Sequence, residues 1–299
     1  MGSLSIPHVS IGLPVYNGEN FLEDCLCSVL TQTHDAFELV ISDNASDDGT
    51  AEICKAFAGR DDRIRYVRQE RNSGAAANFN EVFRLCRGEY FKWMAHDDML
   101  EPTWLERCVE ALDASGPEVC VAYTAVSHLR EEEGTLLPYD AEFPWGAPTP
   151  DGRLAQMLLV EGVSILTKCY PVFGLMRREA LASTRLIQPF NASDKVLLVE
   201  MALRGDFKQV PEHLFHRRLH ANNSLTANPT PQQVLKWFDP DATRPATVHK
   251  DLWDGYRNAV RDASLPSEQV RSCRRIVRRW AWTLRKRLAG DLLRGAGLR

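Results

Sequence analysis

Asp97 and Asp98 stand side by side at the end of the run Tyr90-Phe91-Lys92-Trp93-Met94-Ala95-His96. Adjacent carboxylates repel each other, and they are costly to take out of water unless a cation or hydrogen-bond donors compensate. A divalent, oxygen-preferring cation such as Mg²⁺ or Mn²⁺, carrying a phosphate group, would compensate both. A solvated turn in which one Asp caps the next helix would also tolerate them. A third acid, Asp43, ends the apolar run Phe37-Glu38-Leu39-Val40-Ile41-Ser42, and the first apolar run of the chain closes in Pro14-Val15-Tyr16-Asn17. If these runs are strands of one parallel sheet, their ends share the edge where open α/β sheets bind ligands. At such an edge Asp43 can accept from a ring N–H of a pyrimidine base, and Tyr16 or the backbone near Pro14 can line that base. Asp97 can accept from ribose hydroxyls, and Asp98 can hold a metal that neutralises a leaving diphosphate. The bland readings are helix capping for Asp43 and packing for Tyr16.

The pattern supplies the elements that would position these groups. Val9–Asn17, Phe37–Ser42, Ile64–Val67, the run from Tyr90 and Val119–Tyr123 read as strands. Helical periodicity falls between them at Glu19–Thr31, Thr50–Ala58, Ala75–Cys86 and Glu101–Ala114. Regular alternation with short connections predicts an α/β fold with a Rossmann-like, mostly parallel sheet flanked by helices over about residues 7–127. Beyond Leu129 the chain loosens into a surface excursion through Glu131–Gly134 and the Pro/Trp/Phe segment at Pro138–Pro150. A helix at Arg153–Leu159, a strand at Val172–Met176, a helix at Asp194–Leu203 and an extended stretch at Phe207–Leu219 follow. Ala221–Gln233, rich in Asn, Thr and Pro, reads as a candidate mobile loop. Helices at Leu252–Asp262 and Ser267–Leu293 form a C-terminal helical extension. The division expected is an α/β half at 1–130, a second half of the same domain at 131–235, and a basic helical extension at 236–299.

Composition narrows the classes. The 299 residues are 44% hydrophobic and 25% charged, with a net charge of −4, as in ordinary globular proteins. No apolar run approaches the ~20 residues needed to span a bilayer, and Met1–Pro7 has neither the charged start nor the apolar core of a signal peptide. The eight cysteines show no Cys-x-x-Cys or Cys/His ligand spacing, and Cys25, Cys54, Cys86, Cys108 and Cys120 read as buried thiols in a reducing cytoplasm.

Pro14-Val15-Tyr16-Asn17, the loop Asp43-Asn44-Ala45-Ser46-Asp47-Asp48-Gly49-Thr50, Asn72-Ser73-Gly74 and the strand ending in His96-Asp97-Asp98 together resemble family 2 glycosyltransferases of the GT-A fold. Order and spacing match over about residues 7–220. The resemblance implies an inverting transferase that uses a nucleotide-activated sugar and a divalent metal. It puts Pro14, Tyr16 and Asp43 at the base, Asn72 and Gly74 in the next nucleotide-side loop, and Asp97 and Asp98 at the Asp-x-Asp-type position. The chain departs from the pattern at two places. Ala95 and His96 stand where many members carry Asp-x, leaving a form like Thr-Asp-Asp. Ala75-Ala76-Ala77-Asn78 also lacks the Ala-Arg-Asn many members place there, so that Arg contact is absent.

Inversion at an anomeric carbon requires a carboxylate to deprotonate the acceptor hydroxyl. The resemblance places it at a helix start about a hundred residues past the metal acid, and Asp194 in Asn191-Ala192-Ser193-Asp194 matches; a first-turn acid favoured by the helix dipole is its bland reading. His216-Arg217-Arg218-Leu219-His220 could grip a diphosphate. The resemblance places a His-x-x-x-Ser element here, which His220 and Ser224 match. His220 is expected as a metal or diphosphate ligand, and Arg217 and Arg218 as phosphate contacts.

In the last thirty residues, Cys273, Ile276, Val277, Trp280, Leu284 and Leu288 form one helical stripe amid Arg274, Arg275, Arg278, Arg279, Arg285, Lys286 and Arg287. Such a helix suits an anionic membrane surface, which would make the protein peripheral on the inner membrane face. It equally suits packing of the stripe on the core. Nucleic acid is not expected, because no stacking aromatics are interleaved. The function expected is transfer from a nucleotide sugar, a UDP-sugar first, to a glycan, lipid-linked or small-molecule acceptor. A sugar-1-phosphate nucleotidyltransferase is the alternative enzyme, though the first strand lacks a Gly-rich loop and Lys. A non-catalytic protein that kept the fold is the third reading.

Overall fold

The computed structural model describes residues 7–139, 146–161, 169–221 and 223–296, with only the backbone of Ser224 and Leu225. The nine described strands form one sheet in the order β3-β2-β1-β4-β8-β6-β9-β5, with β7 paired to β6. β1 (Val9–Val15), β2 (Phe37–Asp43), β3 (Ile64–Arg68) and β4 (Tyr90–Trp93) are parallel neighbours. β1 is buried along its whole length, as a strand covered on both faces should be. α1 (Leu22–Leu30), α2 (Thr50–Ala58) and α3 (Ala75–Leu85) make the crossovers between them. The strand period of two sends Phe91 and Trp93 into one core and Tyr90 and Met94 into the other, so the sheet separates two apolar layers.

The second half of the sheet is mixed. β8 (Leu175–Arg177) runs antiparallel to both β4 and β6, following a 3₁₀ turn at Tyr170–Phe173. β6 does not stop at Tyr123 but continues over Val119–Arg130, turns, and pairs with β7 (Thr135–Tyr139). It lies parallel to β9 (Asp206–Leu219), which runs on to pair with the short antiparallel β5 (Met99–Leu100). The expected helix at Glu101 begins later, as α4 (Trp104–Asp113). α5 (Pro150–Leu159), α6 (Arg178–Ala182) and α7 (Ser193–Arg204) complete this half.

The stretch read as a loop at Ala221–Gln233 is helical in part. α8 (Ser224–Ala227) precedes α9 (Pro231–Phe238), whose start is a capping box between Thr230 and Gln233. α10 (Val248–Asp262) follows, and the long basic helix is two, α11 (Ser267–Thr283) and α12 (Arg285–Gly295). The stripe of α11 packs on the core: Cys273, Val277 and Trp280 are buried there, with Trp280 edge-on to Tyr256 at 4.9 Å. No described helix is long and apolar enough to cross a membrane.

Candidate active site

The ends of β1, β2 and β3 are laced to one another. Tyr66 Oη donates to Asp43 Oδ2 at 2.7 Å, the Ser46 amide donates to Oδ1 at 2.8 Å, and Arg68 approaches Oδ2 at 3.5 Å. Asp43 is therefore fully buried and held by its own chain. Burial, followed by the Asp43 hydrogen bond, pushes the Tyr66 phenol well up. Asn44 Oδ1 accepts from the Ser73 amide at 3.0 Å, and its Nδ2 donates to Asn72 Oδ1 at 2.9 Å; Asn72 Oδ1 also takes the Gly74 amide. Asn17, in a left-handed conformation, donates its side-chain amide to Asp47 Oδ1 and accepts the Asp47 backbone amide. Pro14 lies buried opposite Ser42, while Tyr16 is 42% exposed at the rim. Sequence reasoning gave no role to Asn78, yet its buried amide donates to the Ser42 and Val15 carbonyls and ties the ends of β1 and β2 together. Gly74 has φ +87°, and a Cβ there would lie 2.5 Å from the Phe238 carbonyl.

The Asp pair lies in the turn between β4 and β5 rather than on a strand. Asp98 is 5% exposed and its Oδ1 accepts the Arg218 amide at 3.1 Å. Burial and then the Asp97 charge push its carboxyl well above the ordinary range, which a cation would relieve. Asp97 Oδ2 sits 3.0 Å from His220 Nε2, and His220 lies against the Phe21 ring at 4.7 Å. Arg218 does not present its guanidinium to the cleft. It is buried, donating to the Asp97 carbonyl at 3.0 Å, to Asp24 at 2.9 Å and to Glu131, with Phe21 beneath it at 4.6 Å. The expected phosphate contact is thus a strut that holds the Asp turn; its donors are spent on the protein. Burial keeps the His96 imidazole below its ordinary range, packed over Gly18.

Asp194 stands in the first turn of α7, half-buried, behind Ala192 in a left-handed conformation. The Cys169 thiol hydrogen-bonds it, and burial followed by that carboxylate pushes the thiol up. Arg217 acts electrostatically on both Asp98 and Cys169, and its Nη1 lies 3.5 Å from Tyr170 Oη. Arg217 thus acts on Asp98 and on the thiol that bonds Asp194. Tyr170 Oη also meets His128 Nε2 at 2.7 Å, and His128 stacks on Tyr139 at 4.6 Å, giving this side an aromatic wall. Ser193 Oγ, next to Asp194, is buried with no partner among the described residues.

Lys92 was passed over in the sequence. It is fully buried under the Asp turn, donates to the Phe173 carbonyl at 2.6 Å and lies over the Trp104 ring at 4.2 Å. Burial lowers its ammonium to about 7. A charged residue on the same strand face as Tyr90 and Met94 was the available signal. No cluster of three or more His, Cys, Asp or Glu of metal-binding geometry occurs among the described residues. An open cavity of about 1100 Å³, lined by His8, Glu38, Arg63, Arg65 and Arg87, lies at the opposite edge of β1–β4, away from these acids.

Solved structures share this frame. S. aureus TarS (residues 1–349) in complex with UDP superposes with a TM-score of 0.60 at 16% identity, covering 88% of this chain and 68% of that one. The mannosyltransferase PcManGT from Pyrobaculum calidifontis, in complex with GDP-Man and Mn²⁺, does so with a TM-score of 0.56 at 16% identity, covering 98% and 76%. The fold is that of the GT-A glycosyltransferases. Residues 10–183 match Glycosyl transferase family 2, and the chain belongs to that family. The putative teichuronic acid biosynthesis glycosyltransferase TuaG of Bacillus subtilis (strain 168) is 38% identical over 214 residues, 63% of this chain and 83% of TuaG. The chain spans less than a quarter of the length of several longer curated relatives.

Proposed function

We propose that the protein is an inverting, metal-dependent glycosyltransferase that moves a sugar from a nucleotide diphosphate sugar, a UDP-sugar first, to an acceptor hydroxyl on a glycan, lipid-linked saccharide or small molecule. One observation carries the reading: Asp98 is buried beside a second carboxylate, Asp97, which His220 Nε2 meets at 3.0 Å, so the turn past β4 gathers negative charge in need of a cation.

The donor set suits a hard cation, since Asp98 is a buried carboxylate in need of positive charge and the His220–Asp97 pair stands beside it. Asp98 and His220 would hold Mg²⁺ or Mn²⁺, which when bound offsets the charge of the departing diphosphate. Tyr16, Asn72 and Gly74 line the base and its loop, with the buried Pro14 and Asp43 supporting them from behind, Asp97 faces the ribose, and Arg217 meets the diphosphate. Arg218 positions the turn. Asp194 takes the proton of the acceptor hydroxyl as its oxygen forms a bond to the anomeric carbon. The bond to the diphosphate oxygen breaks on the opposite face, and the nucleoside diphosphate leaves with that electron pair. The UDP complex of TarS supports a uracil donor. The GDP-Man and Mn²⁺ complex of PcManGT supports the metal and makes GDP-mannose the competing donor.

The test is a thermal-shift screen of nucleotides and nucleotide sugars with and without Mn²⁺, then donor turnover in wild type and Asp194→Asn. Binding raises the melting temperature by mass action. The variant should keep the shift and lose about 10²–10⁴ in turnover, the usual worth of a positioned base. Wild-type turnover by the variant removes Asp194 from its role, and a protein that binds but never turns over is the non-catalytic reading. Formation of UDP-sugar from UTP and sugar-1-phosphate would favour the nucleotidyltransferase.

A further inference from the structure

The packing of α11 removes the argument that its apolar stripe enters a lipid surface, because Cys273, Val277 and Trp280 are already spent on the core. It leaves a second stripe on the opposite side. Arg271, Arg275, Arg278 and Trp282 recur at intervals of four, three and four residues, the spacing of one helical face, and all four are exposed. Arg274 and Arg279 flank them, also exposed. Trp282 is 69% exposed at the end of this face, and the Arg285 guanidinium stands 4.9 Å from its ring. α12 adds exposed Lys286 and Arg287, together with exposed Leu292 and Leu293. Between Glu268 and Asp291 there are eight Lys or Arg and no acid, although the whole chain carries a net charge of −4. None of Arg271, Arg274, Arg275, Arg278 and Arg279 has an ion-pair partner among the described residues.

Trp282, 69% exposed at the end of this face, leaves a large apolar ring in water, and single-sign charge of this density repels itself. Both features are explained by a flat anionic partner with an amphipathic boundary. We propose that the outward face of α11, continued by α12, docks the protein on an anionic lipid bilayer, with the arginines at the headgroups and Trp282 at the headgroup–acyl boundary. Binding is electrostatic first and therefore falls with salt. The helix stays folded on its core throughout, so no conformational change accompanies docking. Taken with the glycosyltransferase reading, on which this clause alone rests, docking directs the acceptor side toward lipid-linked saccharides.

Sedimentation of the full chain with vesicles tests the docking without substrate. Vesicles holding about a third phosphatidylglycerol should bind it, and pure phosphatidylcholine should not. Raising salt from about 50 mM to 500 mM should release it. Arg271→Glu/Arg275→Glu/Arg278→Glu should weaken binding about a hundredfold or more, since each juxtamembrane cation contributes severalfold. Trp282→Ala should weaken it severalfold and remove a blue-shifted component of the fluorescence that wild type gains with vesicles. These side chains point away from the buried stripe, so the variants should keep the wild-type melting temperature and donor turnover. No binding to anionic vesicles at low salt overturns the proposal. So does binding that the triple variant leaves unchanged, or tighter binding to a single-stranded oligonucleotide than to the vesicles. Absence of donor turnover in wild type, with its vesicle binding intact, would count against the enzymatic reading alone.

Discussion

The two halves of the sheet edge hold their polar groups differently. Along the ends of β1, β2 and β3, Asp43, Asn44, Asn17, Asn72 and Asn78 all bond to one another's loops or to strand-end carbonyls. No buried side-chain polar atom on that rim lacks a partner among the described residues. Past β4, Ser193 Oγ and His216 Nδ1 are buried without one among the described residues, and the Cys169 thiol bonds Asp194. A completed network is rigid and preorganised, whereas unpaired buried groups cost stability until a ligand meets them. The first rim is finished by folding; on the proposed reading the second is left for an acceptor to finish. Functional sites commonly carry such a deficit, offset elsewhere in the fold.

Arg218 and Arg217 separate the two behaviours within one dipeptide. Arg218→Ala should cost about 3 kcal/mol of unfolding free energy, the lower end for breaking a buried pair because Asp24 and Glu131 reach water. Arg217→Ala should stay within about 0.5 kcal/mol of wild type yet lose about a hundredfold in donor turnover. Denaturant midpoints and turnover on the same preparations check this, and equal destabilisation by both would erase the contrast.

Lys92 sharpens it from below. Its folded pKa, about 7, lies under the ordinary lysine value. In that order the burial cost is fully present below the folded pKa and fades as pH rises toward the unfolded one. The stability of Lys92→Met relative to wild type should thus fall between pH 7 and 10, by up to about 1.4 kcal/mol per pH unit. A gap constant over that range would mean the lysine is charged in its cage. The smallest effect is expected at the finished rim: Asn44→Ala should cost about 1–2 kcal/mol by stranding the Ser73 amide and weaken nucleotide affinity with it. Urea titration and thermal shift with UDP read both.

The donor rim was legible because its signals are local. Apolar runs that stop at Asp43 and at the Asp pair announce strand ends, and alternation with helices announces the parallel sheet. The sealing of Asp43 by Tyr66 and Arg68 was not read, although the two occupy alternate positions on β3. The Arg218 strut was not legible, because its acids lie at positions 24 and 131 and at the turn, joined only by the folded sheet. β6 was read short because its last residues face outward and lose the buried pattern. Around residue 230, Asn and Pro composition suggested a loop and hid a helix-start signal, Thr230-Pro231 with Gln233 three on. The apolar stripe of α11 was visible, but which surface it covers depends on α5 and α10, which no local pattern specifies.

The close approach at Gly74 has a consequence for how the chain can be cut. The carbonyl of Phe238 and the ring of Pro240 rest where a side chain would be, so the segment after β9 is the outer wall of the loop that carries Asn72. A truncation that stopped near residue 230, where the family match has already ended, would preserve every acid and still leave that loop unbraced. The minimal functional piece is thus longer than the homologous core, and a fragment sized by sequence similarity alone would be expected to fold around a slack donor loop.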